Sequence, residues 1–138
     1  MHSRFVKKQT EHIRASRLRT YRQGSSQWFG FDAVELRDEL DGIVLVSLPG
    51  HSPGHCGVAI RRPNGWLLHA GDAYFHRATL SEGAEPPGYL RRFEALVAHD
   101  RDAYAATQTR LAALWRDHRD EVQIFCSHDP LELEMFKR

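Results

Sequence analysis

Cysteine is scarce in this sequence: Cys56 and Cys126 are the only two in 138 residues, far apart and outside any CxxC spacing. That scarcity excludes a disulfide framework and a cysteine zinc knuckle, and leaves two buried free thiols as the expectation. Long apolar runs are missing too. None approaches the roughly 20 residues that a membrane-crossing helix needs, and the opening MHSRFVKKQTEH lacks the apolar core, about 7 to 15 residues long, of a secretory signal. A cytoplasmic location without membrane contact is the expectation. No HExxH helix occurs, and the letters G-x-S-x-G at Gly50 to Gly54 lead into a strand-like stretch, CGVAIRR, not a helix, so no single short stretch encodes a zinc pair or the strand-to-helix elbow of a nucleophilic serine. Acidic residues are short in one region only: residues 1 to 22 carry Arg4, Lys7, Lys8, Arg14, Arg17, Arg19 and Arg22 against Glu11 alone. That end reads as a phosphate-binding arm, as an Arg-rich targeting leader or as a solvated tail. With only Phe5 and Tyr21 to interleave the charges, the tail is favoured and nucleic acid is not an expected partner.

What is present is the mixture of one globular domain, 41% hydrophobic and 27% charged, with net charge +1. Gly24, Ser25 and Ser26 form a loop after the basic part. From Trp28 onward WFGFDAVEL alternates apolar and polar residues as a strand does, Asp41-Gly42 has turn chemistry, and Ile43 to Leu48 is a short β-branched run. Together they predict a hairpin. CGVAIRR predicts another strand over Cys56 to Arg62, Pro63-Asn64-Gly65 a turn, and GWLLHAGD a strand up to Asp72. Beyond the loop from Gly83 to Gly88 the period changes, and Leu90, Phe93, Leu96 and Val97 share one helical face. A longer helix is predicted from about Asp102 to His118, with Asp100 or Asp102 as N-cap and Tyr104, Leu111, Leu114, Trp115 and His118 as its stripe. Val122 to Cys126 reads as a buried strand, and Pro130 as the start of a last short helix. This order predicts an α/β layered domain with a mixed sheet.

Three polar clusters follow predicted strands: His51 and His55 after the run ending at Leu48, Asp72 after HAG, and His128 with Asp129 after FCS. Strand ends converge in a layered fold, so residues distant in sequence can share one pocket. Imidazole with carboxylate suits zinc, iron or manganese, and an open coordination position lowers the pKa of bound water to about 7, for attack on a carbonyl. Metal-assisted hydrolysis is one reading of the clusters. Structural readings stand beside it: a histidine in a Gly/Pro turn is commonly a hydrogen-bonded scaffold residue, Asp72 can cap a turn, and Asp129-Pro130 can open a helix. His69, His99 and His118 are read as structural, with His76 a weak supporting candidate. A third reading pairs Ser52 or Cys56 with His55 as nucleophile and base.

In this order and at these strand ends, PGHSPGH, HAGDAYF and FCSHDP resemble the later metal motifs of the metallo-β-lactamase fold hydrolases, in the branch near the N-acyl-homoserine lactone lactonases. The resemblance spans about Trp28 to the C-terminus. It implies that His51 is a ligand of one metal ion, His128 a ligand of the other and Asp72 the bridging, catalytic carboxylate, with two zinc ions in the full site. It also implies a supporting or substrate-side place for His55, Tyr74 and Asp129, and a small-molecule substrate with a hydrolysable ester, lactone, thioester or amide carbonyl. In the lactonases a tyrosine three residues past the bridging aspartate assists the substrate; here that position is Phe75, and Tyr74 lies one place earlier.

The superfamily's HxHxDH motif has no match in residues 1 to 26, where His2 and His12 are isolated. The expectation is therefore the C-terminal half of an αββα sandwich over residues 28–138, without the HxHxDH half, behind a poorly ordered basic segment over 1–27. Each metal would keep two protein ligands, so weak zinc binding, impaired hydrolysis and an uncovered apolar face are expected. That face in turn implies a homo-oligomer or a partner in place of the missing half. The alternative is a non-catalytic half-fold that binds itself or a partner.

Overall fold

The computed structural model describes residues 13, 15–17, 19–22, 24–37 and 40–136. Most of the basic segment expected over 1–27 lies outside these residues, as do His2 and His12. Six strands form one sheet in sequence order: β1 (Ser26–Trp28), β2 (Phe31–Glu35), β3 (Ile43–Ser47), β4 (Cys56–Arg62), β5 (Gly65–His69) and β6 (Val122–Phe125). The first five run as an antiparallel meander, and β6 joins β5 in parallel. A parallel neighbour requires a crossover. It is made here by two helices, α1 (Gly88–Val97) and α2 (Arg101–Asp117), and a short helix α3 (Pro130–Glu134) closes the chain's described part.

The hairpin predicted across Asp41-Gly42 is present as β2–β3, and a second, tighter one precedes it within WFGFDAVEL. That stretch is two strands, not one, because Phe29 and Gly30 both take positive φ, 45° and 80°, and turn Trp28 directly onto Phe31. Two successive positive-φ residues match the twist of the flanking strands, as two-residue hairpin turns require. The strand expected to reach Asp72 ends at His69, and Asp72 lies in the turn that follows.

One face of the sheet carries the core. Val44, Ala59, Leu68 and Ile124 align across four strands, all buried. They join a cluster with Leu111 and Leu114 of α2, as the helical stripe predicts. Asp100 caps α2, its side chain accepting from the Ala103 N–H. On the opposite face the aligned row Leu45, Val58, His69 and Phe125 is only half-buried, and Ile60 in the next row is 43% exposed.

Helix α1 departs from the reading of its sequence. Of the apolar residues on its expected inner face, Leu90 and Val97 are half-buried but Phe93 and Leu96 point outward, 50% and 73% exposed, as does Tyr89 at 76%, while Glu94 is buried at 4%. No described helix is long and apolar enough to cross a membrane.

Candidate metal centre

Because β3, β4 and β5 alternate in direction while β6 runs parallel to β5, the C-terminal ends of β3, β5 and β6 lie at one edge of the sheet. His51, Asp72 and His128 each follow one of those ends. Two backbone bonds prolong the β5–β6 pairing past the strands: the Ala70 N–H donates to the Phe125 carbonyl at 2.8 Å and the Ser127 N–H to that of Gly71 at 2.9 Å. They set the Asp72 and His128 loops side by side. The His51 loop is pinned from α2, where the Thr107 hydroxyl donates to the Pro49 carbonyl at 2.7 Å and the Asp100 N–H to that of Gly50 at 3.0 Å.

The result is one carboxylate between two imidazoles. Asp72 Oδ2 lies 3.5 Å from His51 Nε2, and Asp72 Oδ1 lies 3.2 Å from His128 Nε2. Its side chain is 37% exposed, so the cluster sits at the surface of the sheet edge.

His55 belongs to the scaffold of this cluster. Its Nε2 accepts from the Asp72 N–H at 3.0 Å, which leaves the ring proton on Nδ1 to donate to the Leu48 carbonyl at 2.9 Å. Gly71 makes that contact sterically open: it has φ 59°, and a Cβ there would lie 2.8 Å from His55 Nε2. With both ring nitrogens engaged, His55 is no base for Ser52 or Cys56. Cys56 faces the Gly54 carbonyl. The expectation of two buried thiols therefore holds for Cys126 alone, since Cys56 is exposed.

Tyr74 and Asp129 are both buried. Tyr74 is fully buried and donates its hydroxyl to Glu132 at 3.0 Å, so of the two places expected for it, contact with substrate is not open to it here. Asp129 caps α3 through the Leu131 N–H and takes the Arg77 guanidinium and N–H at 2.8 and 2.9 Å. Burial raises its pKa, but the donors from Arg77 and Leu131 and the Arg77 charge together outweigh that and hold it below the ordinary carboxylate range. His76 caps the short turn that follows, its Nδ1 accepting from the Ala78 N–H, and His118 pairs with Glu121 at a helix end. His69 lies within β5, with Nε2 at 3.4 Å from the Ser127 hydroxyl.

Phe75, Glu94 and Glu132 were not among the candidate residues. The Phe75 ring lies 4.1 Å from the His128 ring and 6.3 Å from that of His51, centroid to centroid. Glu94 accepts the Phe75 N–H at 2.8 Å and lies 3.4 Å from the Tyr104 hydroxyl, which is also 3.3 Å from the Asp72 carbonyl. Glu132 accepts the Cys126 N–H at 2.8 Å beside its bond from Tyr74. Burial raises the pKa of both glutamates, and that of the Cys126 thiol to about 12. Beside His128 opens a groove of about 450 Å³ lined by Phe75, Tyr89, Phe93 and Leu131, with Arg77 at its polar side.

Imidazole nitrogens and a shared carboxylate are the right donors for zinc, iron or manganese. Their number is small: among the described residues no three His, Cys, Asp or Glu side chains form a ligand set for a single ion. Asp72 instead offers one oxygen toward each histidine.

No known family's sequence profile matches the chain. It is 38% identical over 104 residues to the protein named "Probable metallo-hydrolase" of Mycobacterium bovis, and equally to its namesake in Mycobacterium tuberculosis. The match covers 75% of this chain and 34% of either relative, so the chain spans about a third of their length. Among solved structures it is similar to a B. thuringiensis AiiA variant with N-decanoyl-L-homoserine bound at the active site, with TM-score 0.53 and 21% identity over 77% of this chain and 38% of that one. A quorum-quenching N-acyl homoserine lactone lactonase gives TM-score 0.51 and 23% identity over 76% and 37% of the two chains. The sequence relationship to metallo-hydrolases, the sheet shared with the lactonases and the partial coverage of both lead to one conclusion: the chain carries part of the metallo-β-lactamase fold and is related, over that part, to proteins named metallo-hydrolases.

Proposed function

We propose that this chain carries part of the active site of a metal-dependent hydrolase, in which His51 and His128 each hold one zinc-type ion and Asp72 bridges the two. The observation that supports this reading is the Asp72 carboxylate, with one oxygen 3.5 Å from His51 Nε2 and the other 3.2 Å from His128 Nε2. A divalent ion bound there supplies Lewis acidity and lowers the pKa of water to about 7. The substrate class is a small molecule with an ester, lactone, thioester or amide carbonyl. The acyl-homoserine ligands of the structural neighbours fall in that range. No particular lactone is assigned, since Phe75 replaces the lactonase tyrosine. His55 fixes the Asp72 backbone, and Asp129 with Arg77 ties the His128 loop to the segment after Asp72.

The described residues give each ion one imidazole and one carboxylate oxygen, where zinc takes three or four protein ligands. The remaining donors lie outside the described residues, and this chain alone binds zinc weakly and hydrolyses little. Calorimetric titration of zinc into the purified chain tests this. Weak binding lost in Asp72→Ala is expected. Tight two-ion stoichiometry overturns the incomplete site, and binding indifferent to His51→Ala and Asp72→Ala overturns the site itself.

The exposed Tyr89, Phe93 and Leu96 on α1 favour a second reading, a non-catalytic half-fold that pairs with itself or a partner. Association in sedimentation, together with no metal-dependent hydrolysis sensitive to His51→Ala and Asp72→Ala, would favour it over the first.

A further inference from the structure

Every residue from Asp72 to Arg77 is tied to another part of the molecule or to its own turn. Asp72 is held by His55 and lies against the Tyr104 hydroxyl, and Ala73 by its bond to Ala70. Tyr74 is held by Glu132, Phe75 by Glu94, His76 through Ala78, and Arg77 by Asp129. Three of these anchors are carboxylates with 4% exposure or less. A buried carboxylate is costly unless its hydrogen bonds are made, and an amide or an apolar side chain fills such a place more cheaply.

Glu94 and Glu132 both join a helix to the metal edge, Glu132 from the short α3 and Glu94 from α1. Glu94 projects from α1, where Tyr89, Phe93 and Leu96 face outward and Leu90 and Val97 are only half-buried, so Glu94 is the one fully buried side chain that seats the helix. Its neighbours inside are neutral donors, the Phe75 N–H at 2.8 Å and the Tyr104 hydroxyl at 3.4 Å. Phe75, gripped at its backbone, lays its ring 4.1 Å from the His128 ring and 6.0 Å from that of Phe93. The carboxylate, the Phe75 backbone, the Phe75 ring and the His128 ring form one continuous chain of contacts.

We infer that Glu94 is a positioning residue: through Phe75 it sets the orientation of the His128 imidazole toward Asp72, and it couples that orientation to the seating of α1 along the groove. The inference rests on the reading of His128 as a ligand for its purpose, but the coupling itself needs no metal. It makes α1 both the groove wall and a brace for the site, so that displacing the helix turns the His128 ring.

Nuclear magnetic resonance on the metal-free chain tests it, reading the His128 ring resonances and the hydrogen exchange of backbone amides over 89–97. In Glu94→Ala the His128 resonances move and exchange over 89–97 quickens, while exchange over 104–114 in α2 stays as in the wild type. Glu94→Gln keeps an oxygen to accept the Phe75 N–H and restores both signals toward wild type. Should Glu94→Ala not fold, Glu94→Asp serves: it keeps the charge but withdraws the oxygens by one methylene, and the same two changes are expected. A lower melting temperature with His128 resonances unmoved would mean a merely structural carboxylate and overturn the inference, as would failure of Glu94→Gln to rescue. Because no metal is present, a failed zinc titration would sink the hydrolase reading and leave this result standing.

Discussion

Helices α1 and α2 follow one another between β5 and β6, both read from sequence as amphipathic, yet they bury opposite kinds of side chain. In α2 the stripe works as its period suggests: Tyr104, Leu111 and Leu114 are buried, and Leu111 has no exposed surface. In α1 Tyr89, Phe93 and Leu96 stand out, Leu90 and Val97 are only half-buried, and the fully buried side chain is a glutamate. The difference teaches that periodicity identifies a helix and its two faces, whereas the face that turns inward depends on what is waiting there. For α2 that is the apolar face of the sheet. For α1 it is the N–H of Phe75, which donates to Glu94 at 2.8 Å; a buried donor left without an acceptor costs about 1–3 kcal/mol.

Breaking the seat of α2 should have the largest effect. Gly50 has φ 125°, and a Cβ added there would lie 2.3 Å from the Tyr104 backbone, which cannot yield as a flexible side chain can. Gly50→Ala is expected to cost about 4 kcal/mol or more, at the far end of single substitutions, and to displace the His51 loop; denaturant unfolding measures the first and the His51 ring resonance the second. Next comes the direct contrast of the stripes. Leu111→Ala should lose about 2–5 kcal/mol, whereas Leu96→Ala, at a position 73% exposed, should stay within about 0.5 kcal/mol. Equal losses in chemical denaturation would mean that α1 is buried in solution by something outside the described residues.

The smallest effect is in pH dependence. Burial raises the folded-state pKa of Glu94 and Glu132 above the unfolded value. The stability they contribute is fully present below the ordinary carboxylate pKa of about 4.3 and is lost as pH rises through the raised folded values. Glu94→Gln removes one of the two and should flatten that decline, measured as melting temperature against pH. A slope unchanged in Glu94→Gln would show that α1 does not hold its carboxylate buried.

Much of the fold was legible because strand signals are local. The β-branched run from Ile43, the Asp41-Gly42 and Asn64-Gly65 turns and the Asp100 cap need only a few neighbouring residues to be read, and each stands within a residue or two of its expected place. Phe29-Gly30 was not legible as a turn, because alternation continues across it and only the backbone shows Phe29 at positive φ. The exposed Cys56 had no signal either, since thiol burial is settled by the packing of β4.

For the candidate site, the sequence by itself determined the polar residues after three strand ends and their chemistry, imidazole, carboxylate, imidazole. It did so because donor type is a property of each residue and because the motifs around His51, Asp72 and His128 are short and contiguous. Tertiary structure alone decided that one carboxylate faces both rings, that His55 spends both nitrogens on the scaffold, and that Tyr74 turns into the core. It alone turned Glu94 inward. The physical reason is that these outcomes depend on matching donors to acceptors between segments far apart in the chain, and a buried N–H will draw a carboxylate out of a polar helix face when no nearer acceptor can reach it.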